Sequence, residues 1–163
     1  MAIVYITGYK SPLGKLVLES DGRALTRLRL PGEAGPVATT VRPGDQVVRD
    51  AAPFAAVIAQ LDEYFAGTRK KFDVPLAPGG TPFQLKVWQQ LRKIPYGRTI
   101  TYATLAHRAG NDSACRAVGA ANGRNPLPII VPCHRVIGSN GSLTGFGGGI
   151  AAKRRLLELE GAL

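Results

Sequence analysis

Residues 101–135 read TYATLAHRAGNDSACRAVGAANGRNPLPIIVPCHR, and this stretch decides the fold. A short helix is expected from Thr101 to about Ala109, a break at Gly110-Asn111-Asp112, and a second helix from Ser113 to about Asn122. Two short helices joined by a tight glycine-containing turn fit a helix-turn-helix, and they also fit an ordinary helical hairpin. The second helix is built from Ser, Ala, Cys, Val and Gly, with Arg116 as its one long polar side chain. Reading bases in the major groove calls for several long donors and acceptors. A helix of small residues can instead approach a duplex closely, so weak sequence preference is expected if this one binds DNA. Gly119 costs about 1 kcal/mol against Ala inside a helix, which points to close packing or close approach.

Downstream, Asn125-Pro126-Leu127-Pro128 is rigid and turn-prone, and Ile129-Ile130-Val131 reads as a short buried strand. That strand would run into Pro132-Cys133-His134-Arg135, leaving Cys133 near its end beside one of only two histidines. A thiol becomes a strong nucleophile as a thiolate, and a nearby base promotes that form. Neighbours on a strand point to opposite faces, so His134 would take the proton through a water unless the chain turns here. The competing reading is a Cys packed as a small hydrophobe. Cys115, set among alanines, is expected to be structural, and His107 to be a surface residue near a helix end.

Further on, Ser139-Asn140-Gly141-Ser142 signals a turn. Leu143 to Gly149 is a glycine-rich loop with one aromatic, Phe146. Ile150 occupies the place of the third glycine of GxGxxG and no GK[ST] follows, so neither a dinucleotide site nor a phosphate loop is supported. The loop reads as the wall of a flat, narrow pocket or as a flexible connection. Ile150 to Glu160 reads as an amphipathic helix stopped by Gly161, with Lys153-Arg154-Arg155 as a solvated face or a phosphate contact.

Upstream, Thr81, Pro82 and Gln84 form a capping box with proline at the first helical position. The helix would turn Phe83, Val87, Trp88 and Leu91 to a core and end at Pro95-Tyr96-Gly97. In the first 30 residues, alternation suggests three short strands, with Asp21-Gly22 as a hairpin turn. Residues Pro31 to Pro43 read as a loop, Phe54 to Phe65 as a helix stopped by Gly67, and Pro75 to Gly80 as a linker.

The expected fold is α+β with two domains: 1–76, a small β-sheet with a helix acting as scaffold, and 77–163, mostly helical and bearing the cysteine. At 163 residues, with 45% apolar and 20% charged residues, the chain can bury a core unaided. Two cysteines rule out a disulfide scaffold, and with two Cys and two unclustered His no metal site is expected. No apolar run is long enough for a membrane span and the first residues do not resemble a signal peptide, so a cytoplasmic protein with no membrane partner is expected. The net charge of +10 is uneven. Residues 1–81 carry 10 Lys/Arg and 8 Asp/Glu, whereas residues 82–163 carry 11 and 3. A polyanion partner on the C-terminal half is one reading, and solubility is the other.

Pro132-Cys133-His134-Arg135-Val136, with Asn125-Pro126 before it and Thr144-Gly145-Phe146-Gly147-Gly148-Gly149 after it, resembles the alkylguanine-DNA alkyltransferases. These are the methylated-DNA–protein-cysteine methyltransferases. Phe83 to Trp88, Ile94 to Gly97, Thr101-Tyr102 and Arg116 to Gly119 extend the resemblance over the last 80 or so residues. Ser11 to Gly14 and Tyr64 to Gly67 carry it more weakly into the first half. The resemblance implies an RNase H-like N-terminal domain and a DNA-binding C-terminal domain with a helix-turn-helix.

It also implies that Cys133 takes the alkyl group from 6-O-alkylguanine in one irreversible, in-line displacement, after the base has been flipped out of the duplex. His134 would activate Cys133 through a water and Glu160 would orient His134. Asn125 would brace the turn between the DNA-binding helix and the active-site strand, and Tyr102 would help rotate the target phosphate and donate a proton to the leaving guanine. Arg116 would fill the gap left by the flipped base, with Thr101, Ser113, Ala117, Gly119 and Arg124 beside it on DNA. Pro128, Arg135, Val136, Phe146 and Gly147 would line the pocket. Phe146 stands where many members have Tyr, so a stacking face is kept without its hydroxyl. No cofactor and no metal are implied, because DNA itself carries the alkyl group. The implied partner is double-stranded DNA carrying alkylated guanine, bound by a monomer with little sequence specificity. Three other readings compete: a turnover hydrolase using Cys133, a helix-turn-helix regulator without chemistry, and a damage sensor that binds without repairing.

Overall fold

The computed structural model describes residues 1–33 and 41–163, so most of the loop expected between Pro31 and Pro43 lies outside the described residues. The chain forms two compact units, Met1–Gly79 and Gly80–Leu163. The fold is α+β, with the sheet in the first unit and most of the helix in the second.

The alternation read near the start does produce strands. β1 (Ile3–Ser11), β2 (Gly14–Ser20) and β3 (Leu25–Arg29) form an antiparallel meander. A fourth strand, β4 (Gln46–Arg49), pairs parallel to β1, giving the sheet order β3-β2-β1-β4. One apolar set from β2 and β3, namely Leu16, Leu18, Leu25 and Leu28, is buried. Helix α1 (Ala55–Phe65) contributes Val57, Leu61 and Tyr64 to the same core. The segment expected to be a plain linker begins as structure: Leu25 N–H donates to Pro75 O and Ala77 N–H donates to Leu25 O.

The second unit opens with α2 (Pro82–Leu91) and the expected capping box. Gln84 N–H donates to Thr81 Oγ1, and Thr81 N–H donates to the Gln84 side chain. Gly80 is required just before it, because a Cβ there would come within 2.6 Å of the Trp88 indole. Val87, Trp88 and Leu91 are buried, but Phe83 in the first turn is 37% exposed, contrary to its expected core position. Helices α3 (Tyr102–Arg108) and α4 (Cys115–Gly123) follow. Ser113 and Ala114, expected in the second helix, belong to the turn before it. Trp88 Nε1–H donates to Ala121 O, tying α2 to α4. A two-residue parallel pair joins β5 (Ile100–Thr101) to β6 (Val136–Ile137), and α5 (Ile150–Leu159) follows with Glu160 as its C-cap. Among the described residues no helix is long and apolar enough to cross a membrane.

Candidate active site

The expected strand at Ile129-Ile130-Val131 does not form. The run is buried, as its composition requires, but it is a turn. Asn125 closes that turn from inside: its Oδ1 accepts from Leu127 N–H (3.0 Å) and its Nδ2 donates to Val131 O (2.7 Å). Val131 N–H donates to Leu127 O, so the amide that a strand would offer sideways is spent locally. Ile129 has φ 75°, a left-handed conformation that is unfavourable for a β-branched residue. The turn delivers Cys133 to a single turn of 3-10 helix, Cys133–Arg135, rather than to a strand end. Successive side chains on that turn no longer point to opposite faces.

Behind the cysteine lies a buried ionic cluster. Glu160 accepts from His134 Nε2 at 2.7 Å and from Arg135 Nε and Nη2 at 2.8 and 3.0 Å. Arg135 Nη1 donates to Ile94 O and the guanidinium lies over the Tyr96 ring. Burial pushes the Glu160 carboxyl up, but the hydrogen bonds and charges of His134 and Arg135 outweigh it and hold the group at about 2. Burial pushes His134 down, and the charges of Arg135 and Lys153 add to that against the pull of Glu160. The imidazole is therefore neutral, with its proton on Nε2 facing the carboxylate. Its Nδ1 is left as a bare acceptor, buried and with no hydrogen-bond partner among the described residues.

On the other side, the Tyr102 hydroxyl donates to Thr144 O at 3.2 Å. Lys153 was expected on a solvated face or at a phosphate, yet it is fully buried. Its ammonium donates to Val136 O (2.6 Å) and Thr144 O (2.8 Å) and lies 6.0 Å from the Tyr102 ring centroid. Burial lowers the Lys153 pKa and the field of Cys133 acts in the opposite sense. A neutral base with an open nitrogen, a carboxylate to take up its charge and a buried cation together suit activation of a thiol.

Both units match family models. Residues 82–162 match the model described as "6-O-methylguanine DNA methyltransferase, DNA binding domain". Residues 4–78 match "6-O-methylguanine DNA methyltransferase, ribonuclease-like domain". This chain belongs to the 6-O-methylguanine DNA methyltransferase family. A methylated-DNA–protein-cysteine methyltransferase of Methanosarcina acetivorans is 46% identical over 98% of this chain and 99% of its own length. One from Mycobacterium bovis is 50% identical over 92% of this chain and 88% of its own. The crystal structure of the Mycobacterium tuberculosis protein OGT in complex with DNA superposes with a TM-score of 0.85 at 45% identity, covering 99% of this chain and 94% of that one.

In this family member, Cys133, His134, Glu160, Arg135 and Val136 meet around one short turn, and Asn125 braces the segment leading into it. Of the residues read as pocket lining, Pro128 and Val136 are buried, Phe146 is half-buried and Gly147 is exposed. Arg135 turns its guanidinium to Glu160 and Ile94, so its contacts are with the cluster. Ser113, Arg116, Ala117 and Arg124 are exposed. Gly119 is half-buried under Tyr102, where a Cβ would stand 3.8 Å from the ring. Thr101 caps α3, its Oγ1 accepting from Thr104 N–H. Cys115, expected to be structural, is exposed at the first turn of α4. His107 is on the surface, bonded to Asp112 at 2.7 Å. Among the described residues no three His, Cys, Asp or Glu side chains gather as a metal site requires.

Sequence reasoning missed Lys153. For Lys153 a signal existed: residues 153, 156, 157 and 160 share the i, i+3, i+4, i+7 stripe that faces a core.

Proposed function

We propose that this chain repairs DNA by direct reversal, taking the alkyl group of 6-O-alkylguanine onto Cys133 in one irreversible step. The observation that carries this reading is the neutral, buried His134, held by Glu160 with its Nδ1 bare, next in sequence to Cys133 on the same 3-10 turn. His134 Nδ1 accepts the thiol proton through a bridging water, and the Glu160 carboxylate stabilises the resulting imidazolium. The thiolate sulfur then attacks the alkyl carbon as the carbon–oxygen bond to guanine breaks. Tyr102 supplies the proton that the departing guanine takes up and is reprotonated from the medium, to which His134 returns the proton taken from the thiol. The thioether is stable, so each chain turns over once.

The substrate base is stacked inside a duplex and has to be flipped out, at a cost of a few kcal/mol that is smaller for a damaged pair. Exposed Arg116 on α4 fills the gap, and α3 and α4 act as a helix-turn-helix on double-stranded DNA, with Ser113, Ala117 and Arg124 on the same surface and Thr101 and Gly119 supporting it. The small side chains of α4 favour binding with little sequence preference. Phe146 and Gly147 wall the base pocket, and Arg135 serves it indirectly by fixing Glu160. The reading includes a monomer working in the cytoplasm without cofactor.

The test is to mix equimolar protein with a duplex oligonucleotide carrying 6-O-methylguanine and take intact and peptide mass spectra. A gain of one methylene on Cys133, stoichiometric and absent in Cys133→Ser, is expected. Unmodified protein that still binds the lesion tightly would turn the reading to a sensor, and no modification with no lesion preference would sink it.

A further inference from the structure

The run Ile94-Pro95-Tyr96-Gly97 links α2 to β5 and carries no acid, base or nucleophile that the transfer step uses. Arg98 N–H closes it by donating to Pro95 O at 3.1 Å, and Gly97 has φ 79°, the left-handed conformation that a type II turn needs at its third residue. This turn is nonetheless fastened to the buried ionic cluster along its whole length. Ile94 O accepts from Arg135 Nη1 at 2.7 Å. The guanidinium carbon of Arg135 lies 5.7 Å from the centroid of the Tyr96 ring. The Tyr96 hydroxyl donates to Leu159 O at 3.3 Å. Gly97 packs on the backbone of Glu160, where a Cβ would stand 3.1 Å from the carbonyl oxygen.

Arg135 is the piece between this turn and the carboxylate. Its Nε and Nη2 donate to Glu160 while Nη1 is spent on Ile94 O, so the flat fork meets the carboxylate where the turn puts it. One oxygen, Glu160 Oε2, accepts both from Arg135 Nη2 and from His134 Nε2. How much of its charge is left to the imidazole therefore depends on how firmly Arg135 is seated. An aromatic face holds a guanidinium through the ring quadrupole, more strongly where water is kept out, and Arg135 is 6% exposed. We propose that Tyr96 is a positioning residue for alkyl transfer, its ring seating Arg135 on Glu160 so that the carboxylate orients His134 without drawing a proton onto it. This rests on the reading of His134 as the base that takes the thiol proton. Helices α2 and α5 pack on the turn that carries His134. From α5 come Glu160 and Lys153, Arg135 and Cys133 flank the imidazole on its own turn, and the one charged residue of α2, Lys86, is exposed. Burial keeps His134 neutral, Glu160 pulls the other way, and Arg135 and Lys153 oppose Glu160. A loosened Arg135 lets Glu160 draw a proton onto the imidazole, so the base is lost at a higher pH.

The experiment measures single-turnover methyl transfer from a 6-O-methylguanine duplex across pH, with the full chain and its Tyr96→Leu, Tyr96→Gln and Tyr96→Phe variants. Leu and Gln both remove the ring from this half-buried position, and Gln serves if Leu does not fold. Phe keeps the ring and loses only the hydroxyl. The variants without a ring are expected to be slowed about threefold to tenfold on the acid limb, the size of one cation–π contact, and less than about twofold on the alkaline plateau. Tyr96→Phe is expected to follow the parent at every pH. Slowing by one factor at all pH values marks a merely structural role and overturns the proposal, as does an unmoved rate or a Phe variant as slow as Leu. Proton magnetic resonance of the chain's two histidines reads the same effect without DNA. An upward move of the His134 titration in Tyr96→Leu and not in Tyr96→Phe upholds the seating role, and an unmoved titration overturns it. A parent chain that leaves Cys133 unmethylated overturns the alkyl-transfer reading, and the histidine titration still decides the role of Tyr96, so the two failures are told apart.

Discussion

Glu160 accepts one hydrogen bond from His134 and two from Arg135 in a place its side chain shares with no solvent. Its folded pKa near 2 lies below the ordinary 4.5, so its contribution to stability is complete above about pH 4.5 and is lost as pH falls toward 2. That difference is worth on the order of 3 kcal/mol. His134 has the same sign: it is buried neutral with its pKa held below 6.5, so stability begins to fall once the unfolded chain's histidine protonates, below about pH 6.5. Glu160→Gln is expected to be less stable at pH 7 and to flatten the acid limb between pH 4.5 and 2. Urea unfolding at several pH values measures this, and a limb as steep as the parent's contradicts it. Lys153→Met takes the ammonium from Val136 O and leaves Thr144 O with the Tyr102 hydroxyl alone, and an unsatisfied buried group costs about 1–3 kcal/mol. Its denaturation midpoint is expected to fall accordingly, whereas Arg154→Met, on an exposed residue, leaves the midpoint within error.

At the scale of elements, α2 shows how far local signals reach. Its box needs only residues 81 to 84, and it forms as those residues dictate. Thr81→Ala is expected to cost about 1 kcal/mol in chemical denaturation, with the cysteine chemistry unchanged. The meander was legible for the same reason, since alternation is local. β4 was not: Gln46-Val47-Val48-Arg49 has no alternation, and its pairing with β1 is set by residues more than 40 positions away. The two-residue pair β5–β6 is too short to leave any pattern. At 129–131 an apolar run announced burial and could not announce backbone shape, because a buried turn and a buried strand ask for the same side chains. The decision lay with Asn125, whose side chain captures both ends of the turn. Cys133, His134 and Glu160 were legible through the resemblance. Lys153 was hidden by its charge, which ordinarily marks a surface position.

For the whole molecule, the long-range field comes from residues 82–163, with 11 basic and 3 acidic side chains. Asp112, the one acid between Asp73 and Glu158, is bonded to His107. Binding to an unmodified duplex is expected to weaken linearly on a plot of log affinity against log salt, with a slope of about −0.9 for each phosphate contacted. Arg124→Ala is expected to make that slope shallower by about 0.9, whereas Arg116→Ala is expected to leave it unchanged on an unmodified duplex, because Arg116 fills the gap in the stack. Fluorescence anisotropy across a salt series gives the slope, and a flat line would exclude this charge as the source of affinity. Helix α5 has a different consequence at this scale. It brings Lys153 to Val136 and Thr144, and its cap, Glu160, to His134 and Arg135. The partners of Lys153 and of Glu160 are all made before it on the ribosome. A nascent chain that has emerged only as far as Gly149 therefore already displays its cysteine and histidine but has neither the carboxylate nor the ammonium that complete the site. The protein's one-use thiol is armed late, by about ten residues added after the rest of the site has been synthesised.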